Sequence, residues 1–139
     1  FMVRVFVYGT LKPDHVNYHR YCRDRVTQVQ AAYTFGQLYA LPVGYPAMTV
    51  ERNDAPHTAR NSRVWGHLLT FADADILTIL DELEDFDPQR SPEANEYQRQ
   101  QVPVFDPLQR SLGFAWAYIM LPHWIRAADG VYRPHGCWP

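Results

Sequence analysis

Basic charge is scarce in this sequence. Thirteen Lys plus Arg stand against fifteen Asp plus Glu, a net charge of −2, and only one of the thirteen is a lysine, Lys12. A dedicated nucleic-acid binder carries a clustered basic excess, so no nucleic-acid partner is expected. Cysteine is scarcer still, with Cys22 and Cys137 near opposite ends of the chain. Two thiols permit one bridge or none, and in a reducing compartment two free thiols are the expectation. The phosphate-loop pattern GxxxxGK(S/T), the dinucleotide pattern GxGxxG, the paired-histidine HExxH and the nucleophile elbow GxSxG are all missing. The longest stretch free of Asp, Glu, Lys, Arg and His runs from Val26 to Val50, long enough in principle to cross a bilayer. Gln28, Gln30 and Gln37 are scattered through it, and Gly36, Pro42, Gly44 and Pro46 interrupt it. Its Val, Thr and Tyr content favours buried sheet with a turn, and no membrane partner is expected. The first charge falls at Arg4 and the chain is polar by Lys12. No apolar core of a signal peptide is visible and a cytoplasmic location is expected.

What is present suits a packed core. Hydrophobic residues make up 47%, aromatics 14% and charged residues 20% of the 139 residues, enough apolar side chain to offset the entropy of ordering one core. The length fits one domain, read here as residues 2–139, with Phe1 ahead of Met2 set outside the natural chain.

Met2 to Tyr8 (MVRVFVY) is dense in β-branched and aromatic residues and predicts a strand buried on both faces, ended by Gly9. His15 to Asp24 predicts a short helix with Asp14 placed to accept from its first turn. Val26 to Leu41 reads as one long strand or two bent at Gly36, followed by a turn and a short strand in LPVGYPAMTV. Glu51 to Arg63 is polar and aperiodic and reads as a surface loop. Arg63 to Phe71 predicts a strand, and Asp73 to Leu83 the one strongly marked helix, capped by Asp73. Asp85 to Asn95 predicts a loop, and Glu96 to Phe105 with Ser111 to Leu121 a strand pair joined at Asp106-Pro107-Leu108. The tail from Pro122 reads as irregular. Together these imply a mixed sheet, open or closed into a small barrel, with helices outside it.

The acidic run LDELEDFD, Leu80 to Asp87, is either a solvated helix end or a site. At about 100° per residue, with Leu80 at zero, Ile76 falls near −40°, Leu83 near −60°, Leu77 near +60° and Glu84 near +40°. Asp81, Asp85 and Glu82 fall at about 100°, 140° and 200°, the face expected to be exposed. Glu84 is thus the carboxylate aimed at the core if the helix continues that far. Desolvation among Leu77 and Leu80, with repulsion from Asp81 and Asp85, would raise its pKa toward what a general acid/base needs. The plainer alternatives are that Glu84 caps a loop or pairs with an arginine such as Arg99.

VYGTLKP, Val7 to Pro13, is a strand ending in a small-residue turn whose N–H groups either cradle an anion or simply turn the chain. His15, His19 and Cys22 share one helical face, but no further ligand is evident, and a structural role is favoured over a metal site.

In combination, VFVYGTLKP, GYPAM, V-W-G-H-L, LDELED, EYQRQ and AWAYI, in this order from Val3 to Ile119, resemble the gamma-glutamylcyclotransferase-like family. The YGTL form resembles its gamma-glutamylamine cyclotransferase branch. The resemblance implies an α+β fold, a small mixed β-barrel flanked by short helices, with a pocket at the YGTL loop and no metal or cofactor. It implies that Glu84, following Asp81 in a D-x-x-E element, is catalytic. It also implies that the Tyr97 of Y-x-R and Tyr118 are pocket walls, and that the N–H groups of Tyr8, Gly9, Thr10 and Leu11 bind the substrate. Where the family commonly has glycine after the glutamate, this chain has Asp85, so a residue tolerating positive φ is expected there.

The activity implied is cyclisation of a gamma-glutamyl amine or amino acid to 5-oxoproline with release of the amine. Two alternatives stay open. One is a binding or regulatory module that keeps the pocket without turnover, suggested by Asp85. The other is a related lactam-forming or acyl-transfer enzyme on a different amide.

Overall fold

The structure is a computed structural model and describes residues 2–50 and 62–139. The elements run β1 (Val3–Val7), α1 (Val16–Tyr21), β2 (Val26–Ala40), β3 (Pro46–Val50), β4 (Arg63–Phe71) and α2 (Asp75–Leu83). They continue with β5 (Tyr97–Phe105), β6 (Ser111–Met120), α3 (Pro122–Ala127) and β7 (Val131–Arg133). Five strands in the order β2-β4-β1-β6-β5 close into a barrel through a β5–β2 bridge at Tyr33 and Phe105. β3 and β7 both pair with the distal end of β2, beyond the ring. All pairings are antiparallel except β1 with β6, where Val5 lies opposite Trp116. The mixed barrel with outer helices is therefore the architecture present.

Period-two alternation divides the barrel wall between two cores. Phe6, Tyr8, Ala32, Val64, Leu68, Val102, Val104, Ala115, Ala117 and Ile119 come from all five ring strands and no helix, and fill the interior. Val3, Val5, Val7, Leu69, Phe71, Tyr97, Tyr118 and Met120 face the other way, under Tyr18 of α1, Ile76 and Leu80 of α2 and Ile125 of α3. β1 is consequently buried on both faces apart from Arg4, as its density of β-branched and aromatic residues predicts. α2 docks through Ile76 and Leu80, and sequestering Leu80 completely is worth roughly 1.5–3 kcal/mol.

Of the two readings of Val26 to Leu41, the single long strand is the one present: β2 runs fifteen residues without a break at Gly36, where a Cβ would run into the Thr49 carbonyl oxygen as β3 joins. Three expectations need correction. Asp14 does not cap α1, whose N-cap is His15 without a side-chain cap. Asp73 does accept from the N–H of Asp75 at 2.7 Å, but the cap residue of α2 is Ala74. The tail is not irregular. Pro122 occupies the first turn of α3, where its missing N–H costs nothing, and β7 then pairs with β2. The polar loop expected from Glu51 falls, up to residue 61, outside the described residues.

Candidate active site

The YGTL loop leaves β1 and turns at once, the Lys12 N–H donating to the Gly9 carbonyl at 3.0 Å. Gly9 is required by close approach rather than by φ, because a Cβ there would sit 2.6 Å from Pro46 Cγ. The amides of Gly9, Thr10 and Leu11 donate to no main-chain acceptor among the described residues, so they remain available. Lys12 Nζ donates to the Trp138 carbonyl and ties the loop to the C-terminal segment.

Beside this loop is a cavity of about 350 Å³. Its floor and near wall are Phe6, Val7, Tyr8 and the loop residues Gly9, Thr10 and Leu11. Leu83, Glu84 and Asp85 enter from the end of α2, Glu96 and Tyr97 from the start of β5, and Tyr118 from β6. Asn17 from α1, Tyr45 ahead of β3 and Pro46 at its start complete the rim. The seven residues singled out from the sequence, Tyr8, Gly9, Thr10, Leu11, Glu84, Tyr97 and Tyr118, are thus brought around one cavity. Asn17, Tyr45, Pro46 and Glu96 were not singled out, although Tyr45 and Pro46 lie in the GYPAM segment.

Glu84 reaches the cavity because α2 ends there without losing its helical phase. Its N–H still bonds the Leu80 carbonyl at 2.9 Å, so the wheel position near the apolar arc is kept. The next residue reverses the chain: Asp85 has φ of 51°, the left-handed conformation expected from the glycine it replaces. The Asp85 side chain turns to solvent, where Arg90 bonds both its carboxylate at 3.0 Å and its carbonyl at 2.9 Å.

Burial pushes the Glu84 carboxyl up to about 7. Repulsion from Asp81 and Asp85, expected as a second cause, does not contribute. Asp85 faces Arg90, and Asp81, expected on the exposed face, is mostly covered and neutralised: its side chain is 15% exposed. The Tyr118 hydroxyl donates to Asp81 Oδ1 at 2.7 Å, and Arg99 Nε lies 2.9 Å from the same oxygen. That nitrogen makes no aligned hydrogen bond, so the contact is an ion pair. The barrel wall extends past the apolar stripe of α2, which the wheel alone does not reveal. Arg99 therefore pairs with Asp81 and not with Glu84, and its guanidinium lies over Trp116 at 4.6 Å, behind the cavity wall.

The tyrosines are committed elsewhere. Tyr8 donates to the Tyr118 carbonyl at 2.6 Å and accepts from the Met48 N–H at 3.2 Å. Tyr97 donates to the Pro46 carbonyl at 2.8 Å. Burial first, then the Glu84 charge, pushes the Tyr8 phenol far up; burial likewise leads for Tyr97 and Tyr118. All three stay neutral at physiological pH. The arrangement is one covered carboxyl pushed up toward neutrality, a wall of neutral phenols and, among the described residues, a turn of amides without main-chain acceptors.

Among the described residues no group of three or more His, Cys, Asp or Glu is placed to hold a metal ion, and no helix is long and apolar enough to cross a membrane. Cys22 and Cys137 are both free; Cys22 is buried and its thiol is pushed up to about 11 by burial.

A family profile described as gamma-glutamyl cyclotransferase, AIG2-like, matches residues 5–139. No curated protein matches the chain. Among solved structures, YkqA from Bacillus subtilis is similar with a TM-score of 0.66 and 21% identity, over 99% of this chain and 40% of that one. An AIG2-like protein from Mus musculus is similar with a TM-score of 0.66 and 19% identity, over 99% and 88%. An allophanate hydrolase from Kluyveromyces lactis gives 0.62 and 13%, over 96% and 19%. The chain thus spans well under half the length of the Bacillus and Kluyveromyces proteins, and at these identities the likeness carries the fold alone. The profile, by contrast, covers nearly every residue, including each one that lines the cavity, and the chain belongs to the gamma-glutamyl cyclotransferase, AIG2-like family.

Proposed function

We propose that this chain cyclises a gamma-glutamyl amine or gamma-glutamyl amino acid to 5-oxoproline and releases the amine, with Glu84 as general acid and base. The observation that carries the reading is the Glu84 carboxyl, largely covered in the cavity wall with no basic partner among the described residues and pushed up to about 7. Near neutral pH both its forms are populated, as proton transfer in two directions requires.

In the cavity the flexible glutamyl chain is bent so that its α-amine meets its own γ-carbonyl. Such intramolecular orientation is worth on the order of 7 to 11 kcal/mol. The neutral amine nitrogen attacks the γ-carbon, a C–N bond forms, and the carbonyl oxygen takes the negative charge. Glu84 removes the proton that this nitrogen must lose. It then returns the proton to the departing amine as the original amide C–N bond breaks, so charge and atoms balance and the carboxylate is regenerated. The free amides of Gly9, Thr10 and Leu11, with that of Tyr8, supply donors for the developing oxyanion or the substrate's α-carboxylate. Tyr8, Tyr97 and Tyr118 act as walls, because their hydroxyls already serve structural acceptors.

The test is 5-oxoproline release from gamma-glutamyl-alanine, a gamma-glutamyl-lysine isopeptide and glutathione by the parent chain and by Glu84→Gln. Release by the parent and its loss in the variant is the expected result, and the panel identifies the leaving group. A folded parent that releases nothing from any of them overturns the reading in favour of a pocket that binds without turnover.

A further inference from the structure

The Asp81 side chain is used by two residues of the barrel at once. Arg99 and Tyr118 are directly opposed across the β5–β6 ladder, so the pleat points both to one face, and that face is covered by the last turn of α2. One carboxylate oxygen of Asp81 meets the Tyr118 hydroxyl at 2.7 Å and the Arg99 Nε at 2.9 Å. The Asp81 carbonyl in turn accepts the Phe86 N–H at 2.8 Å, closing the reversal that follows Glu84. The Phe86 ring lies 5.7 Å from the Arg99 guanidinium. Residues 81 and 86 therefore bracket Glu84 in the chain, and both ends of the bracket rest on Arg99, itself seated on Trp116.

We propose that Arg99 and Tyr118 act through Asp81 as a positioning brace, which fixes the last turn of α2 to the barrel wall, holds the Glu84 carboxyl at the cavity, and cancels the Asp81 charge one helical turn away from it. This rests on Glu84 being the proton-carrying group of the proposed reaction. Arg99 and Asp81 touch no substrate in this reading and are positioning residues. Uncompensated, Asp81 is a like charge on the same helical flank as Glu84; compensated, it leaves burial as what sets the proton affinity of Glu84. Among the described residues, the other groups lining the cavity around Glu84 are Tyr8 just after β1, Tyr97 from β5 and Tyr118 from β6, all neutral, with Tyr45 ahead of β3 and the uncharged Asn17 from α1. Asp85, paired with Arg90, and Glu96 stand on the rim.

Two removals from one brace then act in opposite directions. Asp81→Asn strands the Arg99 cation and favours ionised Glu84. Arg99→Met strands the Asp81 carboxylate and disfavours it. The experiment follows the Glu84 side-chain carboxyl by 13C NMR titration in the full chain and in Asp81→Asn, Arg99→Met and Arg99→Lys, with 5-oxoproline release measured on the same samples. The titration midpoint is expected to fall by about one pH unit in Asp81→Asn, to rise by a similar amount in Arg99→Met, and to return toward the parent in Arg99→Lys. The kcat of Asp81→Asn falls, by up to about 10²-fold, while KM holds, as for a displaced group that binds no substrate. Midpoints that stay put, or that move the same way in both variants, overturn the brace. If Asp81→Asn does not fold, the contrast between Arg99→Met and Arg99→Lys decides alone. A parent that turns over no gamma-glutamyl amide defeats the cyclotransferase reading while the titrations still judge the brace. Turnover with static midpoints defeats the brace only.

Discussion

Asp81 and Glu84 sit three residues apart on one helix, yet their surroundings make them opposites. Around Asp81 the barrel supplies a phenol donor, a guanidinium and the flat face of Trp116, so the carboxylate is covered and compensated. Around Glu84 it supplies a cavity and phenols whose hydrogens are already given to other acceptors, so the carboxyl is covered with no basic partner among the described residues. Burial is common to both; what differs is whether a cation was buried alongside. A compensated carboxylate stays charged and holds structure together, whereas an uncompensated one has its proton affinity raised toward neutrality and becomes available for proton transfer.

The largest effect expected from breaking this contrast is on turnover. Glu84→Gln keeps shape and removes the proton-carrying role, and kcat for 5-oxoproline release should fall by about 10² to 10⁴-fold. The next is thermodynamic. From the ordinary value of 4.5 up to about 7, the folded chain keeps a proton on Glu84 that the unfolded chain has released. The stability this group contributes is therefore complete below pH 4.5 and lost as pH rises through 7, on the order of 3 kcal/mol. Urea unfolding of the parent across that range should show the loss, and Glu84→Gln should not. Asp81→Ala tests the other side. It leaves Arg99 without its ion-pair partner and the Tyr118 hydroxyl without its acceptor, and the residual exposure of 18% and 15% on Arg99 and Asp81 brings the cost below that of a sealed pair, to about 2–3 kcal/mol by the same unfolding assay. The smallest effect belongs to Asp85→Gly. Relief of the positive φ is offset by lost Arg90 contacts and a looser unfolded chain, so stability should stay within about 1 kcal/mol of the parent. The Glu84 titration should also move less than in Asp81→Asn, because the Asp85 charge is exposed and screened.

How much of this was legible in the sequence depended on the range of the signal. The helical phase that turns Glu84 inward is local, written in the spacing of Ile76, Leu77, Leu80 and Leu83, and the left-handed residue after it followed from a glycine position occupied by Asp85. β1 and β4 were readable from alternation and β-branching for the same reason. The fate of Asp81 was not, because the wheel reports only the stripe on α2. Its acceptor role depends on the β5–β6 register that places Arg99 opposite Tyr118, in a part of the chain with no local tie to α2. α3 carries a local signal of its own, a proline at its first turn in Leu121-Pro122. β7 had little signal of its own, since three exposed residues acquire strand form only by pairing with the overhanging end of β2. The rim residues Tyr45 and Pro46 were visible as a segment but not as a wall, since the approach of Pro46 to Gly9 joins the start of β3 to a loop far away in the chain.

The parallel neighbour relation of β1 and β6 bears on the order in which the molecule is assembled. Within this barrel β1 is synthesised ahead of the other ring strands and β6 after them, and the Tyr8 hydroxyl finds its acceptor on a residue 110 positions later. Contacts of such separation carry a large loop-closure cost and form slowly. On an emerging polypeptide, β1 can pair with β4 while its other edge and the Tyr8 phenol wait for β6. The cavity is therefore completed late in folding, and a nascent chain interrupted before β6 can bury much of its sheet and still have no place for a substrate.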